Sequence, residues 1–269
     1  MKIRNIVFVQ PDFIVKEINP FTGDVYDKNW VYVEINNEEK YQILDKTEHN
    51  LFQVYISRNT SDWKWRLMDF IGYESDLNKN IIVNIAVDEY KRIEEEYARH
   101  SYVDNYLREY EKQVLVHSTT KLNYKNIEKT GILKSWNWLT KNKETNEIVP
   151  IGTLLGDHEE YRDYIMFSNG GVYGEIVVNS KNHGEIVMDT DSEYIPGARL
   201  YFNAGKIAES GLLVRDGLHY KVKDELPLED YLLWVATVDN VDLDGKICCP
   251  SNFARAADCK FKKLYGNMK

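Results

Sequence analysis

Residues 114–133, VLVHSTTKLNYKNIEKTGIL, decide how the chain is read. A short apolar run, Val114-Leu115-Val116, is strand-like and delivers His117 at its end. Three small hydroxyl residues follow: Ser118, Thr119 and Thr120. Thr120 is placed to cap a helix whose inward face carries Leu122, Tyr124 and Ile127. Gly131 is the residue that ends it in a left-handed conformation. Strand, polar strand end, helix and glycine stop make a unit that can hold a small ligand. A neutral imidazole and a neighbouring hydroxyl each donate and accept hydrogen bonds, so His117 with Ser118 suits the vicinal hydroxyls of a ribose.

Working outward, 269 residues are enough for one large domain or two modest ones. With 43% hydrophobic and 29% charged residues, the chain has the composition of a globular protein and not of a disordered one. Its formal charge of -9 argues against non-specific nucleic-acid binding, which needs concentrated Lys and Arg. The basic tail CKFKKLYGNMK reads as a solvated terminus. Cys248, Cys249 and Cys259 are odd in number and lack the paired spacing of a disulfide framework or a zinc site. They read as free thiols in a reducing compartment. The run Asp157-His158-Glu159-Glu160 is acidic, but successive residues do not converge on one ion without a dedicated loop, so no metal is expected. The start MKIRNIVFVQPDF has no signal-peptide pattern, and no run approaches the roughly 20 apolar residues of a membrane helix. The expectation is a cytoplasmic protein with no membrane partner.

Before residue 88 the chain is rich in short apolar runs. IVFV (6–9), FIVKEI (13–18), WVYVEI (30–35), KYQIL (40–44), LFQVYI (51–56), WKWRLMDFI (63–71) and IIVNIAV (81–87) predict an antiparallel β-rich domain. Residues 88–112 read as one helix striped with Tyr90, Ile93, Tyr97, Val103, Tyr106, Leu107 and Tyr110, with Asp88 and Glu89 at its start. After the opening stretch, LTKNKETNEIVP (139–150) reads as a long loop. Strands are then expected at YIMFSN (164–169), YGEIVVN (173–179), GEIVMD (184–189), ARLYF (198–202) and LLWVATVD (232–239). Asp216-Gly217 marks a hairpin within GLLVRDGLHYKV (211–222). There is no P-loop and no dinucleotide glycine motif.

The opening stretch resembles the first motif of the ADP-ribosyltransferase superfamily, at the end occupied by DarT-type toxins and RNA 2′-phosphotransferases. There a strand ends in His plus a hydroxyl or turn residue, and a helix follows with the pattern matched by Asn126-Ile127 through Gly131-Ile132-Leu133. DYIMFSN is similar to the family's second strand, and HYKVKDELPLEDYLLWVATVD to its late strand, acidic turn, Pro and apolar strand. The resemblance covers about 114–240. The fold class it implies is α+β: an ADP-ribosyltransferase-like split β-structure over 113–269, joined by the 88–112 helix to the β-rich domain of 1–87.

The resemblance also implies NAD as co-substrate and a catalytic group drawn from His117, His219 and Glu225. His117 would bond the adenosine-side ribose. Ser118 or Thr119 would contact the nicotinamide or the ribose by backbone or hydroxyl, Tyr164 or Phe167 would lie by the nicotinamide ring, and Ser168 would brace the ribose. Arg162 is the first choice to clamp the diphosphate, ahead of Arg199 and Arg215, because a guanidinium matches phosphate oxygens in a bidentate fork. The implied activity is that of a microbial toxin or defence effector. Its acceptor would be a macromolecule, nucleic acid or protein, and its partner an antitoxin or inhibitor protein. One departure stands out: aligned on Pro227, His219 falls where most of the family has a catalytic Glu, with Glu209 and Glu225 to either side. His at that place is closer to the RNA 2′-phosphotransferases. A nucleotide-binding protein that has lost catalysis is the third reading.

Overall fold

The computed structural model describes residues 5–38, 43–99, 105–145, 150–154 and 158–266. It mixes α-helices with several β-sheets. The chain divides into two compact units, Met1–Val103 with Arg215–His219, and Asp104–Val214 with Tyr220–Lys269.

The first unit is built on β1 (Asn5–Phe8), β2 (Trp30–Asn36), β3 (Ile43–Glu48), β4 (Leu51–Ser57) and β5 (Asn80–Val83), in the order β1-β5-β2-β4-β3. The antiparallel expectation fails here: β1, β5, β2 and β4 run parallel, and β3 is the antiparallel exception. The cause lies in WKWRLMDFI, which forms the helix α1 (Trp63–Asp76) and not a strand. Its buried Leu67, Met68, Phe70 and Ile71 fall at helical spacing. A helical crossover from β4 to β5 lets those strands run in the same direction. Val31, Val33, Phe52, Val54, Ile81 and Val83 pack under α1 together with α2 (Val87–Arg99), which contributes Tyr90 and Ile93. The other sheet face, with Tyr32 and Ile82, is covered by the irregular segment bearing Phe13, Val15 and Tyr26. FIVKEI therefore makes no strand beyond one Ile18–Val25 bridge.

The helix expected over 88–112 is shorter than its tyrosine stripe suggests. It ends at Arg99, residues 100–104 lie outside the described residues, and 105–112 are irregular, with no helix. The Glu111 carboxylate accepts the Arg108 amide at 2.9 Å, a local bond that competes with helix.

In the second unit, β6 (Val114–Thr119) leads to α3 (Lys121–Thr130), β7 (Ile132–Lys134), α4 (Trp136–Lys141) and α5 (Ile151–Leu154). The Thr120 hydroxyl accepts the Asn123 amide at 3.3 Å, and Gly131 ends α3 at φ 69°, as the sequence indicates. Ile127 is buried on α3, but Leu122 is 72% exposed, against its expected inward place. Next come β8 (Tyr164–Phe167) and α6 (Tyr173–His183). The unit continues with β9 (Ala198–Asn203), α7 (Ala204–Glu209), β10 (Val214–Arg215) and β11 (Tyr220–Lys223). It closes with β12 (Glu225–Pro227), α8 (Leu228–Tyr231), β13 (Leu232–Ala236) and α9 (Pro250–Tyr265). The strands expected at 173–179 and 184–189 are overturned. The first is α6, ended by Gly184 at φ 73°, and the second is irregular. Buried Glu175, Ile176, Asn179 and Ser180 trace one helical face, so the apparent alternation of this segment is the start of a 3.6-residue period.

Sheets β13-β9-β6 and β10-β11-β8 are joined by a bridge between Val116 and Ser168, whose amides and carbonyls exchange bonds of 2.9 Å. The short β12-β7 pair completes the described strands. One side of β6 and β9 carries Leu115, Ala198, Leu200 and Phe202, packed with Phe167 and Ile165. The other carries Val116 and Tyr201, packed with Val178 of α6 and Phe253, Ala257 and Phe261 of α9.

Candidate functional site at the end of strand β6

His117 lies near the end of β6, half-buried, its ring 6.1 Å from that of Phe167. Its Nδ1 stands 3.0 Å from the Met166 carbonyl. A carbonyl only accepts, so Nδ1 carries the proton. Burial pushes the imidazole down to about 4, with Lys181 adding to the effect and the Met166 bond opposing it. At neutral pH the ring is uncharged and Nε2 is a bare acceptor. Such a group can take a hydrogen bond from a ligand hydroxyl. It has no proton to give from Nε2.

Ser118 points to the opposite face of the strand. Its hydroxyl donates to Glu175 Oε1 at 2.6 Å. The same oxygen accepts Arg199 Nη1 at 2.9 Å, and Oε2 accepts the Tyr194 hydroxyl. Arg199 turns its other edge to Asp258, with Nε and Nη2 at 3.2 and 2.9 Å from Oδ1. The Tyr201 hydroxyl donates to that oxygen at 2.7 Å. Glu175 and Arg199 are fully buried. Burial works against the Arg199 charge, but Tyr201, Asp258 and Glu175 more than offset it and hold it protonated. Burial first, then Glu175, pushes the Tyr194 phenol up, so it stays a donor.

The remaining residues singled out in the sequence are distributed as follows. Thr119 is buried beside Ala198 in the β6–β9 ladder. Phe167 is a core residue, edge-on to Phe202 at 5.4 Å. The Ser168 hydroxyl donates to the Val116 carbonyl at 3.4 Å. Tyr164 opens β8, and the ammonium of buried Lys221 stands 4.7 Å from its ring and 4.2 Å from that of Tyr161. Arg162 sits in a 3-10 turn, donating to Thr153 at 3.3 Å and lying 5.6 Å from the Trp136 ring. Arg199, buried between two carboxylates, is no candidate for a diphosphate. His219 falls within Arg215–His219 of the first unit, where the Asp216 carboxylate takes its amide at 2.6 Å and faces its Nδ1 at 3.4 Å. Glu225 is exposed on β12, opposite Lys134 on β7, and Glu209 is exposed at the end of α7.

The structure therefore gathers His117, Phe167 and Ser168 where β6 meets β8. Sequence reading missed Glu175, Tyr194 and Asp258. Helical spacing around Glu175 was the available signal. Among the described residues no group of three or more His, Cys, Asp and Glu side chains is placed to hold a metal ion, and no helix is long and apolar enough to cross a membrane. Asp157, part of the acidic run, lies outside the described residues. Comparison with protein-family models, with curated proteins and with solved structures found no match to this chain.

Proposed function

We propose that the second unit binds NAD at the end of β6 and transfers its ADP-ribose to a nucleic-acid or protein acceptor. The observation that carries this reading is the state of His117: a neutral ring, fixed through Nδ1, with a bare Nε2 at the join of two sheets. That acceptor suits a ribose hydroxyl. In the reaction the bond from the ribose C1′ to nicotinamide breaks, nicotinamide leaves with the bonding pair, and an acceptor oxygen or nitrogen attacks C1′ and loses its proton to water. Positive charge develops on the ribose, and a fixed carboxylate would stabilise it. Glu225 is exposed on β12 and is the carboxylate assigned this task.

The test measures nicotinamide release and label transfer from NAD labelled in its adenylate phosphate, with nucleic acid and protein offered in separate reactions. His117→Ala should lose at least about tenfold in kcat/KM while keeping its fold. Equal rates in the two proteins would remove His117 from the mechanism. One observation favours a second reading, a nucleotide-binding protein without turnover. His219 is held by Asp216, and Glu175 is closed off from solvent, which leaves only exposed carboxylates as candidates. Calorimetric NAD binding with no nicotinamide released would decide for it.

A further inference from the structure

The polar cluster behind β6 turns Ser118 away from the ligand place that the resemblance gives it and binds it to Glu175. It joins five segments of the second unit: Ser118 of β6, Glu175 of α6, Tyr194 before β9, Arg199 and Tyr201 of β9, and Asp258 of α9. Stability alone does not account for it. A buried ion pair costs desolvation that well-packed apolar residues of similar volume avoid. What a fully bonded cluster provides is geometry.

That geometry acts on β6. Ser118 and Arg199 are cross-strand partners in the β6–β9 register, and both bond the same oxygen of Glu175. Space behind Ser118 is closed as well: a Cβ on Gly174 would stand 2.7 Å from the Ser118 oxygen. On the opposite face, the next residue back along the chain is His117, held by Met166. The end of the strand is thus gripped on both faces, one grip by a backbone carbonyl and the other by the cluster.

We propose that Ser118, Glu175, Arg199 and Asp258 form a positioning unit that sets the orientation of His117, so that the seat of the C-terminal helix α9 governs the candidate site. This rests on the reading of His117 as the ligand-facing residue. With its hydroxyl on Glu175, Ser118 does not take the ligand contact that the resemblance implies, and in this role the four act through the strand.

The test is a proton NMR titration of the His117 ring in the full chain without NAD, so its outcome is independent of whether the protein turns NAD over. Three variants are compared with the wild type. Ser118→Ala removes the link to β6. Asp258→Asn removes charge at the far end of the cluster. Val178→Ala, on the buried apolar face of α6, loosens the same packing and leaves the cluster intact. Ser118→Ala and Asp258→Asn should raise the His117 midpoint by about one pH unit, as the ring gains water. Val178→Ala should leave it in place. NAD affinity should fall about tenfold in the first two. A midpoint unchanged in Ser118→Ala overturns the proposal, and so does an equal shift in Val178→Ala. If Asp258→Asn does not fold, Ser118→Ala decides alone.

Discussion

One imidazole ties the stability of this protein to pH. Folded His117 has its pKa lowered from 6.5 to about 4, so between those values the unfolded chain binds the extra proton and the folded one does not. Its contribution is complete above pH 6.5 and is lost as pH falls towards 4, by up to about 3 kcal/mol. Urea denaturation at pH 7 and pH 4.5 should show a smaller loss in His117→Asn than in the wild type; parallel losses would contradict the assignment. Arg199 makes a different prediction. Arg199→Met leaves two carboxylates without their shared cation, and breaking such a buried set costs about 3–5 kcal/mol. A loss under about 1 kcal/mol in the same assay would mean that the cluster relaxes freely. At this scale the sequence was only half legible. His117 announces itself by its place after an apolar run. Arg199 ranks in the sequence only as an alternative to Arg162 for a diphosphate, and nothing in ARLYF says that Glu175 and Asp258 close on it from two distant helices.

Elements were legible where local chemistry decides them. The cap of α3 is an example: a hydroxyl at Thr120, a left-handed glycine at 131 and buried Ile127 between them. Thr120→Ala should cost about 1 kcal/mol, visible as a lower urea midpoint, with His117 unmoved in its titration. Elements differ from the sequence reading where a run rich in apolar residues is taken at face value. WKWRLMDFI and YGEIVVN both have strand-like composition, yet each buries one helical face against a sheet. Tertiary burial overrides propensity in such segments. Reading WKWRLMDFI as a strand is also what makes the first sheet look antiparallel, since strand direction follows from what connects the strands.

At the scale of the whole chain, the first unit is discontinuous in sequence. Its last piece, Arg215–His219, is the tip of the β10–β11 hairpin. There Leu218 packs on the core of the first sheet, and Arg66 Nη1 donates to the Gly217 carbonyl at 3.0 Å. Gly217 has φ 83°, and a Cβ there would meet the Arg66 carbonyl oxygen at 2.4 Å. Gly217→Ala should therefore loosen α1, read as faster hydrogen exchange of its amides, with β6 and β9 protected as before. Unchanged exchange in α1 would show that the tip is dispensable. Asp216-Gly217 was readable as a turn; its partner, far upstream, was not. This arrangement also sets an order of assembly during synthesis. When Val103 leaves the ribosome, the first core still lacks Leu218. At about 5–20 residues per second, roughly 110 further residues take about 5–20 seconds to follow. The first unit thus waits for a piece encoded after most of the second, and a nascent chain interrupted before residue 215 carries neither unit complete.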